Sequence, residues 1–233
     1  MVLPRSVAIA ATLLAAAPAV FGAELRGRVA WKGEPPEASI VNLKELASAD
    51  KIEGCGETRR VSQRLLIDPT GGVANAVVWV STGDGPPAQP PTVAIDQAGC
   101  AFTPHVVVMR PGQTLAVGNS DPITHNVRIF QDRAMVVNAF QDANAPPVTR
   151  RFDAPGRYLI RCGMHKWMYA WAVVAERGTY AVTGADGRFT MDVPPGRHQL
   201  RLWHETLGER TRDIEVAPRG QDELVMVVDA QGE

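Results

Sequence analysis

Cysteine and histidine are scarce in this chain, three and five among 233 residues, and that scarcity excludes several chemistries. Three thiolates cannot hold a four-thiolate iron–sulfur cluster within one chain. No Cys-x-x-Cys-His run is present, which removes covalent haem attachment. Surplus charge is lacking too: 24 Lys and Arg against 25 Asp and Glu leave a formal net charge of −1, so the chain carries no broad basic field for nucleic acid. Beyond the first twenty-odd residues, no stretch approaches the roughly 20 apolar residues that a membrane helix needs. No sustained 3.6-residue apolar period is found either, which argues against a helical domain.

What is present begins with a leader. Arg5 is the only charge among residues 1–23, and it precedes the apolar run Val7 to Ala17, Pro18 and small residues up to Ala23. This is the layout of a secretory signal peptide, with an uncleaved anchor as the alternative reading. The mature chain is then expected to be periplasmic, soluble and not inserted in the membrane. Its length of about 210 residues predicts two domains. Strand-sized segments broken by Gly and Pro run throughout, including Leu25–Trp31, Arg64–Ile67, Ala76–Val80, Thr114–Val117 and Tyr169–Val174, and they predict an all-β class. The stretch Gly83 to Pro91 reads as an exposed loop. After Glu176-Arg177-Gly178 the texture changes to a meander with turns at Gly184–Gly187 and Pro194–Gly196. Residues 24–176 are thus read as one domain and 177–233 as a smaller β-sandwich that leans on the first for part of its core.

The chemistry concentrates at Arg161-Cys162-Gly163-Met164-His165-Lys166-Trp167-Met168, where a thiol, an imidazole and a thioether stand three residues apart. Alternation from Pro155-Gly156 places Tyr158, Ile160 and Cys162 on one strand face, so the thiol points inward. A second imidazole, His125, follows a separate strand. Two imidazoles and a thiolate with a weak thioether form the donor set of blue copper, whereas zinc has little use for the methionine. His125, Cys162, His165 and Met168 are therefore the expected copper ligands. Cys162, alone in having His and Met at ligand spacing, is read as the free thiol, leaving Cys55 and Cys100 for a disulfide. No His-x-His pair of the kind a trinuclear oxidase centre requires is found, so an enzyme is not expected.

These residues resemble a family. The series Pro104, Pro111-Gly112, Asn119, His125-Asn126, Pro155-Gly156-Arg157-Tyr158, Cys162-x-x-His165-x-x-Met168 looks like a cupredoxin over residues of about 102 to 175, with the short ligand loop of amicyanin. The resemblance implies a Greek-key β-sandwich, copper as the cofactor, electron exchange with redox partner proteins, and a hydrogen-bonding role for Asn126 around the thiolate loop. The C-terminal part, with Ala181-Val182-Thr183, Asp186-Gly187-Arg188-Phe189, Val193-Pro194-Pro195-Gly196 and Trp203-His204-Glu205, resembles the carboxypeptidase regulatory-like, transthyretin-like sandwich. The combination looks like exported proteins of the methylamine utilisation type.

Several alternatives stand beside this reading. The same residues would serve copper storage or delivery, although the seven methionines are scattered rather than clustered. A carbohydrate-binding or adhesion module without a working metal is a further class. Met168 also fits as core filler. His105 opens the strand leading to Pro111-Gly112 and reads either as a hydrogen-bonded loop residue or as an additional ligand that would make the site more tetragonal. Met164 and Trp167 are read as an apolar patch for partner docking around an exposed ligand histidine. In Gln199–Trp203, alternation makes Leu200 and Leu202 core and turns Trp203 toward the first domain.

Overall fold

The computed structural model describes residues 23–82, 92–176 and 178–229. The leader at 1–22 and the loop read at 83–91 lie outside the described residues. Among the described residues no helix is long and apolar enough to cross a membrane.

The expected all-β class is what the structure has. One sandwich packs a five-stranded sheet, in the order Ala134–Gln141, His125–Gln131, Gly156–Cys162, Tyr169–Val174, Val106–Met109, against a four-stranded one. The latter runs Val148–Phe152, Gln113–Val117, Val93–Gln97, Phe102–Thr103. Alternation explains the facing: in Gly156–Cys162, Tyr158, Ile160 and Cys162 are buried while Arg157 and Arg161 stay partly or fully in solvent. These side chains meet Leu115, Val117, Val127 and Ile129 in the first core. Each such fully buried aliphatic side chain stabilises the fold by about 2 kcal/mol.

The second sandwich pairs Arg188–Val193, Ala23–Trp31 and Gln221–Val228 in one sheet. The other holds Thr179–Val182, Val77–Val80, Gly196–His204 and Gly208–Val216. Its core draws on Leu25, Val29, Val78 and Val80 as well as Phe189, Leu200 and Val216. The boundary expected at residue 177 is therefore not where the cores divide. Two strands from the first 80 residues are zipped between C-terminal ones, because a segment of fewer than 60 residues does not bury two sheet faces by itself. The first core's strands are inserted within the second's chain path. The segment Arg64–Ile67 is not a strand: the Asp68 carboxylate accepts the Thr70 and Gly72 amides at 2.9 and 2.6 Å and curls the chain into a turn.

Where the sandwiches meet, Trp203, Val77, Val106 and Val173 form a small third cluster, with the Trp203 and Trp171 rings 5.3 Å apart. Trp203 thus packs as its alternation predicted. Glu205 lies at the same junction, accepting from Trp171 Nε1 at 3.2 Å and paired with His105 Nε2 at 2.5 Å. Next to it, His204 is 1% exposed. Burial drives its pKa down to about 4, Glu205 opposing and His105 adding to the fall. An unfolded chain protonates this imidazole below about pH 6.5 while the native one does not, so stability is lost as pH falls from there toward 4. The loss amounts to about 3 kcal/mol over that window. His204→Asn keeps an acceptor for the Thr206 amide that Nδ1 now binds. Urea unfolding at pH 7 and pH 4.5 is expected to show a smaller acid loss in the variant by about that amount; identical pH dependence would refute the assignment.

Candidate metal centre

The site is assembled by two strand ends and two loops. Asn119, 5% exposed, fixes the first loop: its Nδ2 donates to the carbonyls of Ile123, Gln141 and Asp142 at 2.9–3.1 Å, and its Oδ1 accepts the Asp121 amide at 3.1 Å. That framework sets down His125 as the first residue of its strand, fully buried. Cys162 ends the neighbouring strand, paired in register with Val127. The loop beyond it closes on itself. The Cys162 amide donates to the Met168 carbonyl at 3.1 Å, the Met168 amide to the His165 carbonyl at 3.0 Å, and the Gly163 amide to the Asn126 carbonyl at 2.9 Å.

Three donor atoms converge inside this frame. Nδ1 of His125 and Nδ1 of His165 lie 3.7 and 3.5 Å from Cys162 Sγ and 3.0 Å from each other. A point equidistant from all three lies about 2.0 Å from each, which is a metal–imidazole bond length and close to a metal–thiolate one. The outer face of His125 is committed elsewhere: Nε2 sits 2.8 Å from Asp121 Oδ2. A proton held there by a carboxylate leaves the Nδ1 lone pair facing the other two donors, the arrangement that metal-binding histidines adopt.

The electrostatics favour a bound cation. Burial pushes the Cys162 thiol up, but hydrogen bonds from His125 and His165 and from backbone amides outweigh it and bring the pKa to about 5. For His125, burial works downward and the contacts with Cys162 and Asp121 win, so its pKa is raised. The buried donors attract positive charge, and a metal ion supplies it without a shared proton.

Three of the four residues expected as ligands, His125, Cys162 and His165, bring their donor atoms together. Met168, 1% exposed, is enclosed by the same turn as Cys162 and His165. The fifth candidate is not with them. His105, 5% exposed, turns to Glu205 and is no member of the His125, Cys162, His165 group. Asn126 takes part through its main chain, its side-chain Nδ2 reaching Asn138 instead at 3.1 Å. The disulfide joins Cys55 to Cys100, and Cys162 is free.

The patch expected around an exposed ligand histidine is absent in that form. His165 is 3% exposed. The Cys55–Cys100 bridge lies beside it, its sulfurs within 4.8 Å of a His165 ring nitrogen, and Trp167 covers it at 5.2 Å between ring centroids. Trp167 is anchored to the Cys100 carbonyl at 3.2 Å. Met164 alone of that pair stands out in solvent, 46% exposed.

Asp121 was the functional residue that spacing did not single out. It is 4% exposed and accepts the Gly99 amide at 2.5 Å, the Cys100 amide at 2.8 Å and His125 Nε2. A carboxylate four residues before a candidate ligand histidine was the available signal.

Comparison with known proteins gives likeness to solved structures only. The chain is similar to a purple cupredoxin from Nitrosopumilus maritimus at 17% identity and TM-score 0.32, over 36% of this chain and 99% of that one. It is similar to amicyanin from Paracoccus versutus at 18% identity and TM-score 0.33, over 42% and 91% respectively. Auracyanin A from Chloroflexus aurantiacus is similar at 20% and 0.32, over 36% and 99%. No protein-family model matches the chain, and no curated protein does.

Proposed function

We propose that this chain is an exported, periplasmic type 1 copper protein that carries single electrons between redox partner proteins and is not an enzyme. His125, Cys162 and His165 would hold the copper through two imidazoles and a thiolate, with the Met168 thioether as a weak fourth donor. The observation that carries the reading is the triangle of two Nδ1 atoms and one Sγ whose centre lies at bonding distance from all three. Copper, when bound there, supplies a one-electron couple. The chain supplies a rigid frame: the donors hang from strand ends and from a turn closed by its own backbone, so little rearrangement accompanies a change in charge. Donors that are 4% exposed or less favour retention over handing the ion on, which sets the carrier above storage or delivery. The second sandwich, read as a regulatory-like unit, braces the first through Trp203 and Glu205.

The test is an optical and EPR spectrum of the Cu(II)-loaded chain beside Cys162→Ser. A strong thiolate-to-copper band near about 600 nm is expected in the parent and none in the variant. A weak tetragonal spectrum that survives the substitution would overturn the proposal.

A further inference from the structure

His125, His165 and Met168 are at most 3% exposed. A surface groove of about 300 Å³ is lined by Arg128, Phe130, Arg161, Cys162, Gly163 and Lys166 on the outer face of the sheet, and Cys162, whose side chain points to the opposite, buried face, is itself only 4% exposed there. Its walls are cationic. Arg128 and Arg161 stand directly opposite each other on neighbouring strands, where like charges cost stability. Neither they nor Lys166 form an ion pair with an acid among the described residues. The chain as a whole is near neutral, so this is a local concentration and not a general excess.

Two polar atoms beside the groove also lack partners. Arg128 Nε and Asn126 Oδ1 are buried without a hydrogen bond. They flank Gly163, where a Cβ would come within 2.6 and 2.1 Å of them, so only glycine lets the guanidinium lie against the ligand loop. Apolar surface adjoins the cations. Phe130 lines the groove, Met164 on the ligand loop is 46% exposed, and Phe140, opposite Asn126 on the edge strand, is 71% exposed.

We propose that the groove of Arg128, Arg161 and Lys166 is the docking site for an acidic redox protein, which exchanges its electron across the strand that carries Cys162. The inference rests on the carrier reading above. Carboxylates of the partner would neutralise the opposed arginines, while its apolar groups meet Phe140 and Met164. The partner gives or takes one electron; no bond forms and no proton moves.

The first test needs no metal. The ¹⁵N-labelled full chain is titrated with hexacyanocobaltate(III), a redox-inert trianion, and then with poly-L-glutamate as competitor. Expected are saturable shifts at Arg161, Gly163 and Lys166, displacement by the polypeptide, and about tenfold weaker binding in R128Q/R161Q. Shifts elsewhere, or a hexacyanide that poly-L-glutamate does not displace, overturn the proposal. The melting temperature of R161Q should hold or rise; a fall assigns the pair to stability and overturns it equally. The second test is stopped-flow reduction of the Cu(II)-loaded chain. Ferrocyanide should react about tenfold more slowly with Lys166→Gln/R161Q at low salt, and hexaammineruthenium(II) should not slow. Equal slowing by both reagents refutes the groove as the route. A chain that takes up no copper fails the carrier reading alone, because the metal-free titration still decides the groove.

Discussion

Cys55→Ala/Cys100→Ala is expected to lower the unfolding free energy by about 4 kcal/mol, the chain-entropy value for a cross-link across 45 residues. That is a large share of the stability of a typical domain. The bridge fastens the segment from Ile40 to Val61, which carries the short helices Leu43–Leu46 and Ala49–Ile52, onto the metal-site end of the first sandwich. The segment has other attachments: Leu43 is fully buried in the first core and Arg60 Nη1 donates to the Gly99 carbonyl at 2.6 Å, while within the segment the Leu43 amide donates to the Thr58 carbonyl at 2.7 Å. They should keep it in place in the native state of the variant while its local opening becomes easier. Urea unfolding gives the first quantity, and hydrogen exchange of amides 43–60 the second, with exchange at least tenfold faster expected. A stability change below about 1 kcal/mol would show that the packing of Leu43, and not the cross-link, holds the cap.

This cap marks the limit of what spacing conveys. The Cys162-x-x-His165-x-x-Met168 run could be read because its residues are neighbours in sequence and a turn brings them together. His125 could be added because the donor set was one imidazole short. Strands such as Gly156–Cys162 were legible from alternation, and so was Trp203, whose neighbours Leu200 and Leu202 had to face a core. Pairing across distance was not legible. Nothing local in Ala23–Trp31 says that it joins Arg188–Val193 and Gln221–Val228, since a strand's periodicity names its faces and not its neighbours. The same holds for His105, whose partner is 100 residues away on the other sandwich. The burial of His165 depended on a segment more than 60 residues earlier folding over it, which the disulfide implied in pairing but not in position.

Asp121 joins the Gly99–Cys100 turn, to which the cap is bridged by Cys55, to His125, and replacing it should be felt in both. Gly99 and Cys100 both have positive φ, 60° and 54°, and their successive amides point at one carboxylate. Such consecutive amides form an anion-binding concavity, and its bonds offset the cost of a left-handed backbone at the non-glycine Cys100. The same carboxylate holds His125 Nε2 and so fixes which ring nitrogen faces the other donors. Asp121→Ala strands three donors, at about 1–3 kcal/mol for each buried one, and frees the imidazole to turn. Asp121→Asn keeps an oxygen for Cys100 and His125 but loses the charge and one acceptor. Copper affinity, measured by competition with a chelator of known strength, is expected to fall about 100-fold in the alanine variant and about tenfold in the asparagine one. Stability of the metal-free chain should fall in the same order. A metal-free chain destabilised by Asp121→Ala whose copper affinity is unchanged would separate the two roles, leaving Asp121 a strap for the Cys100 turn and His125 oriented by its strand alone.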